Sequence, residues 1–321
     1  MKLDRLYRKA VAAGIAKDPR GSEAMRRILE DERAKSEKLK DDEREAWEPD
    51  RLFNPYADTR LLAGDPATEV KKVMVGIDMD AAEVLLAHTL NRDRAEGIDV
   101  IIAHHPQGVA MAQLPEVMRV QSDMLAAYGV NISVAEQLMD TRIGEVERRV
   151  LPANHNRAVD AARVLGLPMM CVHTPADNCV NTYLESLFKK EKPERLKDLM
   201  DLLKRIQEYR AAVRRMAGPK IVNGAENAHC GKISVEMTGG TEGAKTIYES
   251  YAASGVSTIV SMHISEEALE NAKKAHLNIV LAGHISSDTL GLNLLFDEVE
   301  QEERLEFVGV SGFARTRASE R

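Results

Sequence analysis

Short apolar runs alternate along this chain with longer stretches in which apolar residues recur at helical spacing. The runs are Lys72–Asp78, Ile98–Ala103, Val130–Val134, Met169–Val172, Ile233–Met237, Val256–Met262 and Asn278–Gly283. Runs of this length, rich in Val and Ile, read as buried strands, and the intervening stretches of about ten to fifteen residues read as helices. Strands and helices in alternation give an α/β fold whose sheets are covered by helices. Two such stretches, residues 51–188 and 217–321, predict two α/β domains with mixed sheets. Residues 1–50 are dominated by charge, with Leu6, Val11, Ile15, Met25, Ile28 and Leu29 at helical spacing. They predict an N-terminal helical extension without a core of its own, which must pack on the domains or on a neighbouring subunit. Residues 189–216 predict a charged helical pair, with Leu196, Leu199, Leu202, Leu203 and Ile206 on one stripe, acting as a linker or an oligomer contact.

Composition narrows the class. The 321 residues, 44% of them hydrophobic, can fill the cores of about two domains. A net charge of −7 and a pI near 5.8 argue against a nucleic-acid surface of the usual basic kind. No apolar run reaches transmembrane length and Met1-Lys2-Leu3-Asp4 begins no signal peptide, so no membrane role and a cytoplasmic location are expected. Cys171, Cys179 and Cys230 are too few and too scattered for a disulfide framework or a zinc ribbon.

Candidate chemistry gathers at strand ends. His104-His105-Pro106 closes the run Ile98–Ala103, and Pro106 ends the strand because it has no N–H to donate. Both rings can then turn toward the open edge of the sheet, where ligand sites of α/β folds lie. The bland reading is a chance pair on a polar loop. The run Asn278–Gly283 is followed by His284-Ile285-Ser286-Ser287-Asp288, with Ser286 or Ser287 as the expected helix cap. Four residues apart, His284 and Asp288 share a face if the helix begins early, and Asp288 is otherwise an ordinary first-turn carboxylate. His173 and Asp177 copy that spacing after the run Met169–Val172, and read either as a substrate-facing pair or as hydrogen-bonded strand-end residues. His263 ends the run Val256–Met262, with Glu266 and Glu267 just beyond it. Gly239-Gly240-Thr241-Glu242-Gly243 makes a tight strand-to-helix turn that can cradle a phosphate, although it lacks the ending of a Walker loop.

A strand ending in His-His-Pro, paired with a C-terminal strand ending in Gly-His with an acidic residue four positions on, resembles the Nif three-like family of dinuclear metal proteins. Some of its members are assigned as type two GTP cyclohydrolase I. Leu61–Val70 is similar to the family's opening and Gly255–Gly283 to its C-terminal strand, helix and strand, so the likeness spans about residues 52–310 with a poorly matched middle. The resemblance implies metal ligands at His104, His105 and His284, with Asp288 where the family usually carries glutamate. It also implies an aspartate shortly after the strand that follows the doublet, and Asp140, after Val130–Val134, is the best match. Usual family members are hexameric rings, which with the charged helices here implies a homo-oligomer.

The site then reads as two divalent ions bridged by a carboxylate. Imidazole and carboxylate ligands suit Zn, Fe or Mn, and no neighbouring cysteine argues for a thiolate site. Three imidazoles and two carboxylates are too few to saturate two ions, which leaves positions for water or a small-molecule substrate. Candidate proton-handling residues are His263 and Glu266. Three classes stay open: a metal-dependent hydrolase of a nucleotide or another phosphorylated or cyclic amide substrate, a metal-stabilised interaction or regulatory protein, and an iron oxidoreductase.

Overall fold

Two mixed sheets, built on one plan, carry the structure. The computed structural model describes residues 1–93 and 97–320, so Arg321 at the end of the C-terminal stretch lies outside it. The first sheet holds β1 (Arg60–Ala63), β2 (Lys72–Gly76), β3 (Val100–Ala103) and β4 (Met169–Cys171). The second holds β5 (Lys220–Asn223), β6 (Lys232–Glu236), β7 (Val256–Ser261) and β8 (Asn278–Leu281). Their orders are β1-β4-β3-β2 and β5-β8-β7-β6, and the first sheet gains β9 (Glu306–Gly309) beyond β2. In each set of four, three strands run parallel and the first strand pairs antiparallel with the fourth, across an irregularity between Leu61 and Ala63 in one and between Ile221 and Asn223 in the other, while β9 adds to the first sheet parallel to β2. The two halves are therefore a structural repeat.

The helices cover these sheets as the patterning expects. β3 is buried at every position, as a central parallel strand should be. The helix Leu3–Ala16 is no loose extension. Its Leu3, Leu6, Tyr7, Ala10 and Val11 join a core with Val73, Val75, Ile102, Leu292 and Phe296, whereas the next helix, Gly21–Ser36, buries only Met25. Leu196, Leu199 and Leu203 of the charged pair pack into the core of the second half, against Val235, Val260 and Val280. No helix among the described residues is long and apolar enough to cross a membrane.

Three expectations are corrected. Val130–Val134 is not a strand: Asn131 caps the helix Ile132–Val150 by accepting from the Ser133 N–H. The apolar residues that decide it are Ala135, Met139, Val146 and Val150, which are buried at helical spacing, while Ile132 and Val134 stand in solvent. The C-terminal stretch does not stay within its own sheet, because β9 returns to pair with β2. The helix after β8 is capped by neither Ser286 nor Ser287. It begins at His284, with Gly283 as its cap at a φ of 104°, a conformation that favours glycine.

Candidate metal centre

The doublet follows β3, and the backbone keeps its hydrogen bonds beyond the strand: His104 N–H donates to the Gly76 carbonyl and His105 N–H to that of Ile77. Both imidazoles are thus fixed at the carboxyl edge of the first sheet. β4 leads through His173 into the helix Thr174–Glu191, and β8 leads through Gly283 into the helix His284–Val299. These two helices occupy equivalent places in the repeat and pack closely at Gly291, where a Cβ would come within 2.5 Å of the Ala176 carbonyl oxygen. Their first turns therefore lie side by side, which brings Asp177 beside Asp288.

Asp288 stands at the middle. Its Oδ1 faces His104 Nε2 at 3.6 Å, and its Oδ2 faces His105 Nε2 at 3.5 Å and His284 Nε2 at 3.6 Å. Asp177 Oδ1 lies 3.3 Å from His104 Nε2. His104 Nε2, Asp177 Oδ1 and both carboxylate oxygens of Asp288 are buried without a hydrogen bond. Orphaned polar atoms in such a place lack the partner that their burial requires. Their spacing fits a metal, because ligands about 2.0–2.1 Å from a tetrahedral ion lie about 3.3–3.4 Å from one another. His104, Asp177 and Asp288 can hold one ion, and His105, His284 and Asp288 a second. The donor set of imidazole and carboxylate suits Zn, Fe or Mn. Cys171 does not compete, since burial pushes its thiol up to about 11 and keeps it protonated.

Surrounding acceptors orient the rings. His104 Nδ1 faces the Val172 carbonyl at 3.0 Å and His105 Nδ1 faces Asp78 Oδ1 at 2.6 Å, so both Nδ1 atoms carry hydrogen and both Nε2 atoms point inward. Buried Asp58 does the same for His173, 2.8 Å from its Nδ1. Burial opposes a charge on His104, but Asp288 and Asp177 outweigh it and push the imidazole up to about 10. Burial likewise opposes ionisation of Asp288, and the surrounding imidazoles reverse this and hold it far below the usual carboxylate range. His284 goes the other way, lowered by burial and by the neighbouring imidazoles.

Of the residues singled out from the sequence, His104, His105, His284 and Asp288 are brought together. Asp140 is not. It is exposed on the helix Ile132–Val150 and pairs with Arg119 at 3.2 Å, because the segment taken for a strand is helical and carries it to the surface. Asp177 is the second aspartate beside the doublet instead, 3.3 Å from His104 Nε2. The signal for it was in the sequence, as the spacing of His173 and Asp177 repeats that of His284 and Asp288. His263 reaches the site's rim, its ring centroid 5.1 Å from that of His284. Glu266 stands exposed in the first turn of the helix Glu266–Lys274, which Ser265 caps, and it does not line the cavity described below.

No protein-family model matches the chain, and no curated protein matches it. Among solved structures it is similar to a NIF3 superfamily protein from Sphaerobacter thermophilus, with 30% identity and a TM-score of 0.69 over 80% of this chain and 92% of that one. It is more distantly similar to reduced HcgD from Methanocaldococcus jannaschii, with 17% identity and a TM-score of 0.48 over 83% of this chain and 94% of that one. A Bacillus cereus protein related to NIF3 shows 11% identity and a TM-score of 0.38 over 78% of this chain and 89% of that one.

Proposed function

The chain belongs to the NIF3 superfamily, and from that premise we propose that it is a dinuclear divalent-metal protein that hydrolyses a nucleotide or another phosphorylated or cyclic amide substrate. The observation that carries this reading is Asp288, whose two orphaned oxygens face different imidazoles and so suit a carboxylate shared by two ions. When bound, such ions lower the pKa of water and polarise a carbonyl or phosphoryl oxygen.

The protein's own residues do the rest. Asp78 and the Val172 carbonyl hold the doublet with its Nε2 atoms inward. The proton that the carboxylates keep on His104 has to leave before its Nε2 can ligate, so loading releases a proton. His104, Asp177 and Asp288 form the buried side, and His284, with 40% of its side chain exposed, forms the open one. His263 stands at this open side, where an imidazole can take or give a proton. The reading of the protein as a homo-oligomer rests on the family resemblance of the sequence.

The test is a hydrolysis screen over nucleotides, phosphoesters and cyclic amides with Zn-, Fe- or Mn-loaded and metal-stripped protein. Turnover is expected in loaded protein only, returning when metal is restored. Turnover that survives stripping contradicts the proposal. So does a fully loaded protein with no turnover, which points to the metal-stabilised interaction protein instead.

A further inference from the structure

A cavity of about 90 Å³ runs from the metal centre into the second half. On this measure one water needs about 10–15 Å³, so a group of several heavy atoms fits. One end is lined by His173, Asp177, His263, His284 and Asp288, and the far end by apolar side chains with Tyr248, Tyr251 and Glu236. Glu236 is a product of the repeat. It pairs with Ser261 in β6 and β7 as Gly76 pairs with Ala103 in β2 and β3, so a carboxylate stands where the first half has no side chain.

Charge limits what can enter. Among the described residues that line the cavity there is no lysine or arginine, so an anion has no counter-charge away from the metal end. The second lining glutamate, Glu242, is occupied, accepting from the Ser265 N–H at 2.6 Å. Among the described residues Glu236 has the Tyr251 hydroxyl as a neighbouring donor and no cation, and burial, with nearby Glu242, pushes its carboxyl up to about 7. A carboxylate in apolar surroundings is stabilised by a donor that brings positive charge.

We propose that this cavity binds the nitrogenous end of a small organic ligand, an amidine- or amine-type group whose N–H atoms meet the Glu236 carboxylate, while the ligand's other end faces the metal centre. The second clause rests on the metal-dependent reading above, and the first does not. Any phosphate on such a ligand belongs at the metal end, because the far end repels it.

Acetamidine, with acetamide as its neutral isostere, is the probe, titrated by ligand-observed NMR at pH 8 into the zinc-loaded full chain. Acetamidine should bind at least tenfold more tightly than acetamide. Glu236→Gln should remove that preference with zinc content unchanged, and Ala244→Leu, which fills the cavity, should block both probes. Equal binding of the two probes to the wild type overturns the proposal without any variant having to fold. So does an unchanged preference in Glu236→Gln. In the His104→Ala/His105→Ala protein the preference should persist although metal is lost, and its disappearance there overturns the claim that Glu236 alone sets it. Full metal in that double variant contradicts the metal reading and leaves the Glu236 result to stand by itself.

Discussion

Asp140 and Asp177 are the same residue type in opposite surroundings. Asp140 shares an exposed ion pair with Arg119, a contact worth at most about 1 kcal/mol. Asp177 keeps a buried oxygen without a hydrogen bond, an arrangement that makes sense only with a further partner. Glu236 has a measurable cost of the same kind. Its carboxyl titrates at about 7 when folded, against 4.5 ordinarily. Below pH 4.5 it is protonated in both states and the folded protein loses nothing. Between pH 4.5 and about 7 the unfolded chain ionises while the folded one keeps its proton, so stability falls by up to about 3 kcal/mol and is then flat. Glu236→Gln should therefore match the wild type in urea unfolding at pH 4 and be more stable by about 1–3 kcal/mol at pH 8. Parallel pH profiles would contradict this. At this scale much of the site was legible. His104, His105, His284 and Asp288 stood out because adjacent strand-end imidazoles and a strand-end His-x-x-x-Asp are rare patterns with a chemical reason. Asp177 was legible in spacing, yet a strand-end pair has an ordinary hydrogen-bonded explanation. Glu236 gave no signal, since a charged residue closing Lys232-Ile233-Ser234-Val235-Glu236 looks like any solvated strand end, and only the cavity reveals it.

The candidate metal centre depends on how two helices meet. Thr174–Glu191 and His284–Val299 touch at Gly291 and the Ala176 carbonyl, and neither backbone can yield without shifting its own first turn. Gly291→Ala should part the helices, destabilise the protein by about 1–3 kcal/mol as overpacking does, and separate Asp177 from Asp288. Calorimetry should show a lower Tm and a chelator competition at least tenfold weaker zinc affinity. An unchanged Tm together with unchanged affinity would mean that this contact does not set the site. Most elements were readable from the pattern because a buried parallel strand is a short unbroken apolar run, as in β3 and β8. Val130–Val134 misled for a different reason. Its alternating β-branched residues imitate a strand, and the Asn131 cap and the apolar positions from Ala135 to Val150 override them.

Across the whole molecule, the repeat explains why the site sits where it does. The first half contributes the doublet after β3 and a helix that carries Asp177, the second a single helix that carries both His284 and Asp288, and the close packing of the two helices joins the two sets. The repeat shows in strand order and register, and in the His-x-x-x-Asp spacing that His173 and Asp177 share with His284 and Asp288. The family resemblance leads us to expect an oligomer, so light scattering at low micromolar concentration should give several times the 35.6 kDa chain mass. A mass near that of one chain would contradict it. Whether two divalent ions share Asp288 is decided by elemental analysis of zinc-reconstituted, dialysed protein. The wild type and Asp140→Ala should each hold two zinc ions per chain, and Asp288→Ala, still folded, should hold well under one. Full zinc stoichiometry in Asp288→Ala would contradict the account.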